Sequence, residues 1–174
     1  MAKLTQRLGL TRFEADEYYK TALDAYTKHK IEEAILAMEE AIKLLPSNAE
    51  YYAARGFFYL EDGVDDDAQD DFQEALKRYP YEMLAHYGLG IIAYKAQNWD
   101  EALAHFTNAY KANPKRPETL YYLALAYHRK KQNRLAFTTM QQANIAFEAS
   151  GDKKRGEGAQ KWVKALERLA EEKP

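Results

Sequence analysis

The feature that most constrains this fold is a pattern of small residues that recurs every 34 residues. Small side chains recur at one position of the pattern and alanine at two others: Ala22, Gly56, Gly90 and Ala124; Ala34, Ala68, Ala102 and Ala136; and Ala41, Ala75, Ala109 and Ala143. Between the two alanine positions stand Met38, Phe72, Phe106 and Met140. Antiparallel helices approach closely only where one presents a small side chain and the other fills the notch. The pattern therefore predicts an array of helix pairs, in which each repeat packs on the next.

Proline marks the end of three repeats, at Pro46, Pro80 and Pro114, because it cannot extend a helix. Glu148 takes this place in the fourth repeat, so we expect its last helix to run longer and to stop at Gly151. The four repeats are predicted at residues 15–48, 49–82, 83–116 and 117–150. Their helices are predicted over residues 12–28, 31–45, 48–61, 65–79, 82–95, 99–112, 116–130 and 133–149.

Local signals at helix starts agree with this division. Ser47 and Glu50 have the spacing of a capping box at the start of the second repeat. Pro117 falls in a first helical turn, where proline is tolerated. We expect the acidic run 65–67 to cap the helix that follows it and to complement the positive end of the helix dipole.

Residues 85–114 carry the pattern most clearly, with Leu89, Gly90, Ala93, Trp99, Ala102, Phe106, Ala109 and Pro114. In these positions, and in its period, the chain resembles the tetratricopeptide repeat family over residues 15–148. The resemblance implies an all-α fold, a right-handed helical-repeat superhelix (α-solenoid) of four tetratricopeptide-like helix–turn–helix units. A C-terminal capping helix is expected to complete it.

The two ends differ from the repeats. Residues 1–14 carry Leu4, Leu8, Leu10 and Phe13 and predict a short helical lead-in. Residues 151–158 predict a polar hinge. Beyond it, apolar residues at helical spacing predict a capping helix within residues 151–174; they are Ala159, Trp162, Val163, Leu166, Leu169 and Ala170. The alternative is that this helix docks on another copy of the chain.

Composition limits the kinds of partner, cross-link and compartment that this chain can have. The net charge is only -2, which argues against a protein whose main partner is a polyanion. Cysteine is absent, so neither disulfides nor thiolate metal sites are available. The N-terminus does not have the apolar core of a secretory signal, and the apolar runs are short. We expect a soluble, cytoplasmic protein.

The sequence does not indicate a catalytic, cofactor-binding or metal-binding site. Gly88 and Gly90 mimic a dinucleotide-binding fingerprint, but they fall inside a predicted helix, where Gly90 serves close packing. The acidic residues 61–74 do not follow the order of an EF-hand, although weak cation binding stays open. The four histidines do not have the spacing of metal ligands, and Ser47 and Ser150 fall at helix ends. We therefore expect no catalytic residues, no cofactor, no metal and no enzyme activity.

The resemblance implies that the first helix of each repeat lines a concave groove where ligands bind. Side chains three and four residues apart on those helices share one face. The predicted partner-binding residues are Tyr19, Leu23, Tyr26, Phe57, Tyr87, Ile91, Tyr94, Tyr121, Leu125 and His128. They predict a non-catalytic scaffold that binds an apolar or amphipathic segment of another protein. The alternatives are that these aromatic residues pack between helices, or that the groove or the capping helix joins copies into a homo-oligomer.

Two other kinds of partner are less favoured. Chaperone-binding members of the family hold a C-terminal carboxylate with basic and amide side chains. The matching positions here are Tyr19, Leu23, Ala54, Leu84 and Gly88, so we expect no carboxylate-clamp chaperone tail. A basic set near the fourth turn could bind RNA; it comprises Arg129, Lys130, Lys131, Arg134, Lys153, Lys154 and Arg155. Because the chain as a whole is not basic, solvated loop charge is favoured over a nucleic-acid site.

Overall fold

The protein is all-α over the residues that the structure, a computed structural model, describes: residues 2–171, with side chains from residue 9 onward. Its helices are α1 Ala2–Thr27, α2 Ile31–Leu44, α3 Ala49–Asp62, α4 Asp65–Arg78, α5 Met83–Lys95, α6 Trp99–Ala112, α7 Pro117–Arg129, α8 Asn133–Ser150 and α9 Lys153–Glu171. Helices α2 to α8 begin and end within about one residue of the predicted bounds. The repeating pattern was therefore sufficient to place them.

Two predictions at the chain ends are wrong. Helix α1 begins at Ala2 rather than near residue 12 and runs unbroken into the first repeat; the side chains of Leu4 and Leu8 lie outside the described residues. The polar hinge is only Gly151 and Asp152, because α9 already begins at Lys153. A carboxylate oxygen of Asp152 accepts a hydrogen bond from the backbone N–H of Arg155 at 3.0 Å, which starts the helix. The glycines of this segment weaken a helix by only about 1 kcal/mol each, so they do not prevent it.

The start signals are correct in part. Asn48, not Ser47, caps α3, and its side-chain oxygen accepts from the backbone N–H of Glu50 at 3.0 Å. The predicted capping box is therefore wrong. Residues 65–67 do form the acidic first turn of α4, but the capping position is Val64, which has no side-chain hydrogen bond. Pro117 in the first turn of α7 and Gly151 as the stop of α8 are confirmed.

The turn inside each helix pair repeats the same backbone conformation every 34 residues. His29, Gly63, Gln97 and Lys131 have φ values of 58°, 83°, 61° and 58°. Each is followed by a residue whose N–H reaches back to a carbonyl five residues earlier, as from Val64 to Tyr59 at 2.9 Å. This is the Schellman pattern of helix ends, which requires one left-handed residue. Three of the four turns therefore place a side chain where glycine is the least strained residue.

The chain divides into two compact units, Met1–Gly88 and Leu89–Pro174. In the N-terminal unit the fully buried Phe72 lies against two glycines. A Cβ atom on Gly56 would lie 3.0 Å from its ring, and one on Gly88 would lie 2.1 Å from it. Beside this core, Arg55 forms a two-pronged ion pair with the buried Asp71, with both nitrogen–oxygen distances 2.7 Å. The small residues of the pattern thus serve helix contact, as predicted.

The C-terminal unit ends with a covering helix. Gly90 faces the fully buried Phe106, whose ring would lie 2.6 Å from a Cβ at that position. Helix α9 buries Ala159 and Leu166 in one cluster with Met140, Ala143 and Phe147 of α8. It therefore acts as the capping helix that the spacing of its apolar residues predicted.

Candidate protein-interaction surface

Helices α1 and α3 of the N-terminal unit share a face that joins aromatic residues to carboxylates. The Tyr19 hydroxyl donates a hydrogen bond to a carboxylate oxygen of Glu50 at 3.0 Å, and Tyr26 donates to Glu61 at 3.5 Å. The rings of Tyr26 and Phe57 meet edge to face, with centroids 5.8 Å apart. We call this surface the α1–α3 face; it comprises Tyr19, Leu23, Tyr26, Glu50, Phe57 and Glu61. The structure thus brings together three aromatic residues that the sequence placed in the groove.

Leu23 is the most exposed apolar residue of the α1–α3 face. Its exposed fraction is 42%, whereas Tyr19, Tyr26 and Phe57 are half-buried. The half-buried rings are fixed by their neighbours, since Tyr26 also stacks on Phe58 at 5.2 Å. An exposed leucine among fixed aromatic rings offers apolar area to a ligand without a large cost in side-chain ordering.

Charge on this face is negative. Burial, followed by the nearby Glu50 carboxylate, raises the pKa of Tyr19, which therefore stays protonated as a hydrogen-bond donor. Burial and then the hydrogen bond to Asp16 raise the pKa of Tyr51 to about 12. Glu82, at the start of α5, has a raised pKa because of burial and the charge of Glu50. Sequence reasoning missed these carboxylates, although Glu50 and Glu61 share the helical spacing of Phe57.

The predicted residues of the C-terminal unit lie in a different setting. Tyr94 is half-buried, contacts the rings of Trp99 and Tyr122 at 5.1 and 6.1 Å, and accepts a hydrogen bond from Arg129 at 3.3 Å. Ile91, one turn earlier on α5, is also half-buried. Tyr94 therefore contributes to packing within the unit and also keeps part of its side chain accessible.

Helix α9 reaches the predicted residues of α7. Trp162 lies against His128, with ring centroids 5.7 Å apart. Burial raises the pKa of the Tyr121 hydroxyl, and hydrogen bonding by Trp162 opposes that rise. Leu125 is only 8% exposed and belongs to the core cluster with Leu166. The chain's own C-terminal helix therefore covers part of the surface that the sequence assigned to a partner.

Tyr87 also differs from the expectation of an open groove residue. It lies in the first half of α5 and is 7% exposed. Truncating this side chain would test packing more than binding.

Packing and ion pairs account for the glycine pair and for much of the basic set that the sequence offered as other candidate sites. Gly88 and Gly90 lie in the middle of α5, not at a helix start, so they do not form a phosphate-binding turn. In the basic set, Arg129 stacks on Trp99, and Lys130 pairs with Asp100 at 2.6 Å. Over the described residues, no group of three histidine or acidic side chains is placed to hold a metal ion.

Arg155, the last member of the basic set, bonds to Glu118 at 2.6 Å and to Asp152. Part of the basic set is thus neutralised within the C-terminal unit, which weakens the case for RNA binding. No described helix is both long and apolar enough to cross a membrane.

The sequence profile of the tetratricopeptide repeat matches residues 19–82, 66–117 and 87–150. The chain belongs to the tetratricopeptide repeat family. With helices throughout the described residues and the repeated turn conformation, it is an all-α helical-repeat protein. Members of this family bind other proteins through such repeats.

Individual similarities agree with the family. The chain is 31% identical over 98 residues to the Photosystem I assembly protein Ycf3 of Rippkaea orientalis, covering 50% of this chain and 55% of that protein. It is 33% identical over 110 residues to the RNA polymerase-associated protein CTR9 of Saccharomyces cerevisiae, covering 63% of this chain but 10% of that protein. The structure of MamA from Desulfovibrio magneticus has 21% identity and a TM-score of 0.63, with 91% of this chain and 98% of that chain covered. The last likeness concerns the fold alone.

Proposed function

We propose that this protein is a non-catalytic scaffold that binds an apolar or amphipathic segment of a partner protein on its first helices. The observation that carries the proposal is the α1–α3 face, where the exposed Leu23 lies among aromatic rings held by hydrogen bonds. Apolar surface of this kind, rimmed by polar groups, is typical of protein-binding sites.

The names of the two curated relatives support the same class of function. One is an assembly protein, and the other is associated with RNA polymerase. The chain spans about half the length of the first relative and a tenth of the second. What carries over as part of this proposal is the binding of other proteins by the repeats, without the identity of either partner.

Two leucines on the N-terminal unit provide a matched test. Leu23 is 42% exposed on the α1–α3 face, and Leu36 is 60% exposed on α2. Leu23→Ser removes apolar area from the proposed site, and Leu36→Ser makes the same chemical change elsewhere. Proteins captured by the wild-type chain would be compared with those captured by each variant, by quantitative mass spectrometry at equal bait loading.

We expect Leu23→Ser to deplete specific partners several-fold, because apolar anchors supply much of the binding energy at interfaces. Leu36→Ser should leave capture unchanged. Equal capture by all three proteins would refute a site on the α1–α3 face. Sedimentation of the wild-type chain over a range of concentrations would reveal self-association, the competing use of the same surface.

A further inference from the structure

The carboxylates of the α1–α3 face differ from several others of the N-terminal unit in the groups that hold them. Several acidic residues of the N-terminal unit pair with nearby lysines, as Asp24 does with Lys28 at 2.6 Å and Glu40 with Lys43 at 2.6 Å. Over the described residues, Glu50 and Glu61 instead accept hydrogen bonds from tyrosine hydroxyls. A tyrosine hydroxyl fixes a carboxylate in place but leaves its negative charge uncompensated.

A third carboxylate adds to the same field. Glu82 is half-buried and accepts a hydrogen bond from the backbone N–H of Leu84. Its pKa is raised by burial first and then by the charge of Glu50. The charges therefore repel one another, and a cation bound beside them would relieve that repulsion.

Apolar area lies between the fixed charges. Phe57 stands between Glu50 and Glu61 on α3, and Leu23 stands between Tyr19 and Tyr26 on α1. Glu50 and Glu61 are separated by three helical turns, about 16 Å along the axis. A ligand that meets both would therefore carry two positive charges about 16 Å apart, with apolar side chains between them.

We propose that the α1–α3 face binds a basic amphipathic segment of a partner protein, with lysine or arginine on Glu50 and Glu61 and apolar side chains against Leu23 and Phe57. The inference rests on the proposed function and specifies the chemistry of its partner. Nucleic acids and anionic membrane surfaces carry the same sign of charge as this face, so they are repelled by it.

Two synthetic probes test the charge preference. The first is an amphipathic helix of about 18 residues built from leucine and lysine, and the second has glutamate in place of every lysine. Fluorescence anisotropy with the full-length chain should give a Kd about tenfold lower for the lysine probe, and rising salt should narrow the gap. Equal affinity for the two probes would overturn the proposal.

Matched charge variants test whether the charge preference comes from Glu50 and Glu61. Glu50→Gln with Glu61→Gln should raise the Kd of the lysine probe about five- to tenfold, as expected for the loss of two partly exposed ion pairs. Glu14→Gln with Glu32→Gln changes net charge equally at two exposed positions off the face and should change Kd less than about twofold. Equal weakening by both pairs would assign the preference to net charge and refute the site. The charge-reversed variant Glu50→Lys with Glu61→Lys should bind the glutamate probe more tightly than the lysine probe.

The apolar variant separates failure of this inference from failure of the proposed function. If Leu23→Ser lowers the affinity for both probes while the wild-type chain binds the two equally, only the predicted charge preference is wrong. If Leu23→Ser leaves the affinity for both probes unchanged, the apolar site itself is wrong. If the wild-type chain binds neither probe, both proposals fail.

Discussion

The contact of Gly88 with Phe72 leads to a prediction about stability. A Cβ atom at Gly88 would lie 2.1 Å from two ring carbons of Phe72, whereas carbon atoms in contact prefer about 3.5–4.0 Å. The ring would have to move by about 1.5 Å to restore that distance. It is fully buried and has Gly56 on another side, where a Cβ would lie 3.0 Å away. The ring therefore has little room to yield.

We expect Gly88→Ala to lower the free energy of unfolding. Overpacking a tight contact costs about 1–3 kcal/mol, and replacing glycine by alanine in a helix returns up to about 1 kcal/mol. The net loss should be about 1–2 kcal/mol, or a Tm lower by about 2–8 °C for a chain of this length. Urea titration followed by circular dichroism would measure the loss.

Gly158→Ala in α9 is the matched control. Over the described residues, a Cβ there would meet no other group within 4 Å. The same substitution should therefore raise stability by about 0.5–1 kcal/mol, from helix propensity alone. If Gly88→Ala were as stable as the wild-type chain or more stable, the close packing of Phe72 would be refuted.

Three further predictions concern the turns, a buried tyrosine and the last helix. Lys131→Gly should raise stability by about 0.5–1 kcal/mol, because Lys131 holds a left-handed conformation; a lower urea midpoint would contradict this. Tyr51→Phe should lower the free energy of unfolding by about 1 kcal/mol near neutral pH, because it removes the 2.5 Å hydrogen bond to Asp16. Because the folded-state pKa of Tyr51 is raised from 10.0 to about 12, its contribution is complete below pH 10 and is lost as pH rises toward 12. The stability gap between wild type and variant should therefore close over that range, and a constant gap would refute the assignment. Removing residues 153–174 should expose the α8 core and lower both Tm and solubility; an unchanged Tm would show that α9 is not a cap.

The repeats were predictable because their signals are local and periodic. Ala102, Phe106 and Ala109 lie on one helix, and their spacing alone specifies which face is buried. The length of α1 and the start of α9 were not predictable in this way. Helix α9 continues through glycines because Gly156 is buried against Phe147, and this packing outweighs their low helix propensity. Leu10 and Phe13 of α1 are instead 60% and 62% exposed, so burial of these side chains does not account for the length of that helix.

The candidate surface was less accessible to sequence reasoning. The aromatic residues of α1 and α3 follow from helical spacing, but the hydrogen bond from Tyr19 to Glu50 joins residues 31 positions apart. It depends on the register of two packed helices, which no local pattern encodes. The contact of Trp162 with His128 likewise depends on where α9 docks.

The left-handed turns provide a practical means of compensating for loss of stability. His29, Gln97 and Lys131 carry their strain in the backbone, outside the proposed binding residues. Glycine at all three would raise stability by about 1.5–3 kcal/mol if the gain of about 0.5–1 kcal/mol at each turn adds to the others. In such a background, a variant of the α1–α3 face could lose 1–2 kcal/mol, roughly the cost of one strained or overpacked site, and remain folded. A loss of ligand affinity measured there could then be assigned to the surface rather than to unfolding.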